Sequence, residues 1–114
     1  MPRPAVLSIR LDLPSGRIGP GKIALMAAVR DEGSIGRAAA RLGMSYRRAW
    51  ALTESLNAAA PFVVIEKRAG GASRGGAALT EKGAALLSAC EAVVAAAEAA
   101  SVEERRALDA MLAG

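Results

Sequence analysis

Apolar and polar positions alternate near the start of the chain, where Leu7, Ile9, Leu11 and Leu13 are separated by Ser8, Arg10 and Asp12. A two-residue period places one set on a single face of a half-buried strand, and Pro14-Ser15-Gly16 predicts its end. The period then changes. Pro20 suits the first position of a helix, and Ile23, Met26, Ala27 and Val29 recur at helical spacing until Asp31-Glu32-Gly33 closes the segment. A second, short helix is predicted after Ser34, with Ile35, Ala38, Ala39 and Leu42 on one face, Arg37 and Arg41 on the other, and Gly43 at its end. Ser45 starts a third, running to about Ala59 because the residue before Pro61 is biased out of helical conformation. Its inward positions are predicted as Ala49, Leu52 or Thr53, and Leu56.

Beyond it, Phe62-Val63-Val64-Ile65-Glu66 is a β-rich run, and Ala77-Ala78-Leu79 is its expected partner across a glycine-rich tip. Thr80 can cap a final long helix whose stripe comprises Leu86, Leu87, Cys90, Val93, Val94 and Ala97. Ser101-Val102-Glu103-Glu104 has a capping-box spelling, so the tail can form a separate short helix.

The two middle helices fit a stricter frame. With Ile35 as the first position of a helix-turn-helix, the fifth must be small where the helices touch, and Ala39 stands there. The ninth opens a sharp turn, where Gly43 relieves the strain of a positive φ. Burial is expected at Ala38, Leu42, Met44, Ala49 and Leu52. Spacing alone also fits an αα-hairpin of any helical protein; the charge at the start of the third helix and the hairpin directly after it favour the helix-turn-helix.

The 114 residues are enough for one core, and over half of them are apolar while only 3% are aromatic, so the core must be assembled from Ala, Leu, Val and Ile on closely packed helices. The fold class is therefore mostly α with a small β hairpin: a winged helix-turn-helix over the whole of 1–114. Its motif covers about 34–59, its wing about 62–79, and a long dimerisation helix about 81–112.

Charge is unevenly spread. Residues 37–74 carry seven Arg and Lys against Glu54 and Glu66, whereas residues 80–114 carry six acids against three bases. Only the middle is suited to a polyanion. The third helix begins Ser45-Tyr46-Arg47-Arg48, placing two hydroxyls and two guanidinium groups where a recognition helix meets base edges and phosphates. Ordinary solvated helices begin with acids instead. The hairpin comes next, its Lys67, Arg68, Ser73 and Arg74 set among glycines that let backbone amides approach a phosphate. Candidate DNA-binding residues are thus Ser34, Ser45, Tyr46, Arg47, Arg48, Trp50, Lys67, Arg68, Ser73 and Arg74. Among them Trp50 is expected to serve packing first, with Tyr46 the better contact.

Other chemistries find little support. The sequence holds no histidine and a single cysteine, Cys90, which excludes a Cys/His metal cluster, a Ser-His-Asp relay and an internal disulfide. No catalytic residues, no metal and no cofactor are expected, and Cys90 is read as a buried, inert thiol. The expected setting is cytoplasmic, since the start lacks an export signal and the apolar stretch near 83–100 is interrupted by Glu91 and Glu98.

Gly33-Ser34-Ile35, Gly43-Met44-Ser45-Tyr46-Arg47-Arg48-Ala49-Trp50, Gly70-Gly71, Gly75-Gly76-Ala77 and Leu79-Thr80 together resemble the N-terminal domain of ModE-type molybdate-responsive transcription regulators. A more distant similarity to LysR-type domains accompanies it. The resemblance implies that Ser45 to Arg48 lie in the recognition helix, that Gly70 to Gly76 form the wing, and that the first and last helices build a two-fold dimer. Full-length members continue into a molybdate-binding module for which 114 residues leave no room, so molybdate sensing is not carried over, and the sequence names no small-molecule effector. The expected function is sequence-specific binding of double-stranded DNA by a homodimer on an inverted repeat, without membrane association. The alternative is a dimerisation partner that modulates a longer regulator through mixed dimers.

Overall fold

The computed structural model describes residues 4–68 and 76–113. Among them the elements run β1 (Leu11–Leu13), β2 (Gly16–Ile18), α1 (Pro20–Glu32), α2 (Ile35–Leu42), α3 (Tyr46–Ala59), β3 (Ile65–Lys67), β4 (Ala77–Leu79), α4 (Glu81–Ala100) and α5 (Val102–Ala113). The architecture is a mostly helical winged helix-turn-helix with a long C-terminal helical arm.

Helix α1 is the centre of the packing. Its Leu25, Met26, Ala28 and Val29 are fully buried against Ile35, Ala38 and Ala39 of α2, Ala49 and Leu56 of α3, Val64 and Ile65 at the start of the wing, and Leu87 and Cys90 of α4. Each large side chain sunk this way contributes about 1.5–3 kcal/mol. The helix-turn-helix boundaries follow from local chemistry. The Ser34 hydroxyl accepts from the Arg37 amide (3.0 Å) and the Ser45 hydroxyl from the Arg48 amide (3.1 Å), each occupying one orphan donor of a helix start. Gly33 and Gly43 end α1 and α2 in the left-handed region, at φ 76° and 68°. Of the five positions expected to be buried, Ala38 and Ala49 are fully so, while Leu42, Met44 and Leu52 are half-buried at the edge of the core. On α3 it is Thr53, not Leu52, that points inward, its hydroxyl donating to the Ala49 carbonyl (2.9 Å).

Three elements depart from the sequence reading. The opening strand is short, and Gly16 begins a second strand rather than ending the first: Leu11 pairs with Ile18 and Leu13 with Gly16, antiparallel. Glycine is required there because a Cβ would lie 2.6 Å from that of Ala59. Residues 7 to 10 keep the predicted alternation without a ladder, with Leu7 and Ile9 half-buried beside Ile23 and Val94, and farther upstream the Ala5 amide reaches Asp109 of α5 (2.6 Å).

The wing strand begins at Ile65 rather than Phe62, because the backbone before it bonds elsewhere. Asn57 Oδ1 accepts from the Val64 and Ile65 amides (2.8 and 3.0 Å), and its Nδ2 donates to the Ile65 carbonyl (3.1 Å). The Thr80 hydroxyl donates to the Val63 carbonyl (2.6 Å), and the Thr80 amide to that of Val64 (3.0 Å). From Ile65 the two wing strands pair antiparallel, Ile65 with Leu79 and Lys67 with Ala77.

The C-terminal arm is two helices, broken at Ser101. The break does not use a capping box: the Ser101 hydroxyl donates back to the Ala97 carbonyl (2.8 Å), and Arg105 closes the α4 end by donating to the Glu98 carbonyl (2.8 Å). Along the predicted stripe Leu87 and Cys90 are buried, Leu86, Val94 and Ala97 half-buried, and Val93 exposed. Burial holds the Cys90 thiol above its ordinary pKa, in keeping with an inert thiol. By length and composition alone α4 is apolar enough to cross a membrane.

Candidate nucleic-acid interface

Helix α3 turns about 100° per residue, so the burial of Ala49, Thr53 and Leu56 fixes where everything else on it points. Arg47 and Ala51 face away from the core. Tyr46 and Trp50 lie on the flank toward the wing, and Arg48 and Leu52 on the opposite flank, toward β1 and β2. All but the half-buried Leu52 are exposed.

On the wing side, Tyr46, Trp50, Lys67, Arg68 and Gly76 enclose a cleft of about 280 Å³ with the start of α2, at Ile35 and Gly36. The Tyr46 and Trp50 rings are stacked at 6.2 Å between centroids, and the Lys67 ammonium sits 3.8 Å from the centre of the tryptophan ring. Lys67 is also paired with Glu54 of α3. Trp50, expected to serve packing first, is 39% exposed and packs at the surface between α3 and the wing. Lys67, a candidate DNA contact by sequence, is paired with α3 through Glu54.

Pairing within the fold also changes the charge picture. Arg37 donates to the Glu32 carbonyl (Nε, 3.0 Å), and Arg41 pairs with Asp31 (2.9 Å) and Glu32 (3.6 Å). Arg30 is also bonded to Asp31, and these guanidinium groups hold the Asp31 carboxyl down to a pKa of about 2. Arg37 and Arg41 of the basic middle segment thus serve the acidic end of α1. The guanidinium groups of Arg47, Arg48 and Arg68 form no ion pair among the described residues. Those three cations are open to a ligand.

Of the predicted site residues, the structure brings Tyr46, Trp50, Lys67 and Arg68 together around the cleft and sets Arg47 beside them on the outer face. Ser34 and Ser45 are helix caps, and each hydroxyl keeps its own hydrogen to donate outward. Arg48 lies on the other flank. Ser73 and Arg74 lie outside the described residues.

Sequence reading passed over the neighbours of Arg48. Arg10, Arg17 and Lys22 line a depression of about 420 Å³ with Arg48 and Leu52, floored by Gly19 to Gly21. The one signal for it was the start of α1, where the first turn contains no acid.

No family model matches the chain. Curated relatives do. The molybdenum-pterin-binding protein MopB of Rhodobacter capsulatus is 37% identical over 70 residues, 61% of this chain and 26% of its own. The transcriptional regulator ModE of Haemophilus influenzae is 36% identical over 63 residues, 55% of this chain and 25% of its own. The DNA-binding transcriptional dual regulator ModE of Escherichia coli is 34% identical over 61 residues, 54% of this chain and 23% of its own. The chain thus spans about a quarter of the length of the relatives it matches. Identity at this level supports the resemblance to a ModE-type N-terminal domain that the motifs carry.

Proposed function

We propose that this chain is a transcription regulator that binds double-stranded DNA sequence-specifically, as a homodimer on an inverted-repeat operator. The observation that carries the reading is the outer end of α3. Arg47 and Arg48 stand exposed on its first turn, without intramolecular ion-pair partners among the described residues, while neighbouring arginines and Lys67 are engaged within the fold. A helix of about 10–12 Å diameter fits a major groove about 12 Å wide. With α3 in the groove, Arg47 meets base edges, Arg48 and Arg68 meet phosphates, and the Ser45 and Tyr46 hydroxyls add donors at the groove edge. The ModE regulators of Haemophilus influenzae and Escherichia coli, among the relatives, support a regulatory role by name. A cytoplasmic location goes with that role.

Dimerisation is supported by the arm, which leaves Val93, Leu108, Met111 and Leu112 exposed, at 45 to 81% of their full surface. Two subunits would offer their recognition helices to successive turns of one duplex face, hence the inverted repeat. The same apolar arm favours, as a second reading, mixed dimers with a longer regulator.

Selection of bound sequences from a random duplex pool identifies the operator. Arg47→Ala with Arg48→Ala is then expected to weaken binding to it at least about 100-fold, each good base or phosphate contact contributing about 1–3 kcal/mol. Thermal unfolding should move by less than about 4 °C, because both side chains are exposed. Unchanged operator affinity in that variant rejects the proposal, and co-purification of a longer partner without DNA binding by this chain alone favours mixed dimers.

A further inference from the structure

We infer that Arg10, Arg17 and Lys22, together with Arg48, form a second phosphate clamp on the side of the recognition helix opposite the wing. The inference rests on the DNA-binding reading and extends it to residues that neither the motif nor the wing includes.

Placement is the first argument. The four side chains come from β1–β2 and the residue before them, from the first turn of α1 and from α3, and they line one open depression along the Leu52 flank. A helix lying in the major groove has a phosphate strand on each side of it. The wing side addresses one strand, through Arg68 and the Tyr46–Trp50 cleft. This cluster is where the other strand would run.

Charge is the second. The carboxylate in contact with the cluster is Asp12, which Arg10 approaches to 3.0 Å and Arg17 to 3.5 Å. One carboxylate shared by two guanidinium groups leaves the group positive. Lys22 adds an ammonium that donates to the Arg17 carbonyl (2.6 Å) and keeps further donors free, and Arg48 has no ion pair among the described residues. The side chains of Arg10 and Arg17 are 56% and 69% exposed, so a phosphate can reach them without any rearrangement of the core. The floor adds to this field. Helix α1 starts at Gly19-Pro20-Gly21 with no side-chain cap and no acid in its first turn, leaving its end electropositive. The four cations carry the argument, and the helix end strengthens it.

The test is the salt dependence of binding by the full chain carrying Arg17→Gln and Lys22→Gln, which leaves the Arg10–Asp12 pair intact. Filter binding to the selected operator and to a random duplex is measured across a salt series. The slope of log affinity against log salt is expected to become less negative by roughly 0.9 for each phosphate no longer neutralised, or about 2 for each subunit bound. Both duplexes should lose affinity in parallel, so that their ratio stays within about twofold, because phosphate contacts carry no sequence information. The charge-conserving exchange Arg17→Lys with Lys22→Arg should keep the original slope. An unchanged slope in the glutamine variant, with the original protein binding normally, overturns the clamp and leaves the α3 reading standing. Loss confined to the operator also overturns it, since the residues would then be reading bases. Failure of the original protein to bind any duplex overturns both.

Discussion

In α1, α2 and α3 the large apolar side chains are sunk in a shared core or packed along its edge, and what remains outside is polar, cationic or the Tyr46–Trp50 pair. In the arm the order is reversed: α4 buries Leu87 and Cys90 with Gly83, and α5 buries nothing while exposing Val102, Leu108, Met111 and Leu112. The first region closes on itself and leaves Arg47 and Arg48 exposed, without ion pairs among the described residues. The second leaves four apolar side chains exposed on twelve residues, a surface that covering by another chain would stabilise. One chain thus presents a charged face and an apolar face.

The strongest way to break this contrast is to make the arm polar. Met111→Glu with Leu112→Glu is expected to turn a dimer into a monomer in sedimentation equilibrium, and to cut operator affinity by roughly 10²-fold or more as the two half-sites cease to be bound as one unit. An unaltered mass would mean that the exposed stripe is not the subunit contact.

A smaller effect sharpens the other side of the comparison. Asn57 joins α3 to the wing through two amides, those of Val64 and Ile65, both in fully buried residues. Asn57→Ala leaves them without that acceptor, and is expected to cost about 1–3 kcal/mol in urea unfolding, with no change in oligomeric state. Equal stability of the variant would show that the wing is not fastened through this residue.

The smallest expected effect concerns the corner between α1 and α2. The folded-state pKa of Asp31, about 2, lies below its ordinary value of 3.8, so its pairing supports the fold fully above pH 3.8 and loses that support as pH falls toward 2. Asp31→Asn should lower stability at pH 7 only slightly, the pair being exposed and screened, and should flatten the acid limb of the profile in that window by the same small amount. A profile identical to that of the original protein would show that the pair contributes nothing measurable.

The helix-turn-helix was the most legible part of the chain because its signals are local. Ser34 and Ser45 cap, Gly33 and Gly43 terminate, and Ala39 fits a close contact, all within about a dozen residues of one another. The second strand was hidden because the need for Gly16 arises from Ala59, far along the chain, and the late start of the wing was hidden because Asn57 competes for its backbone. The candidate interface was legible to the extent that it lies on α3. Arg37, Arg41 and Lys67 counted toward the basic middle segment until their carboxylate and carbonyl partners were in place, and no linear pattern links Arg10 and Arg17 to Arg48.

Trp50 is the sole tryptophan of the chain, and it lies under the Lys67 ammonium at the junction of α3 and the wing. Its indole emission therefore reports on that junction rather than on the core. A duplex seated in the cleft, as proposed, or a wing that lifts away, would alter the intrinsic fluorescence while the interior stays folded, so the indole is a built-in optical gauge of that cleft.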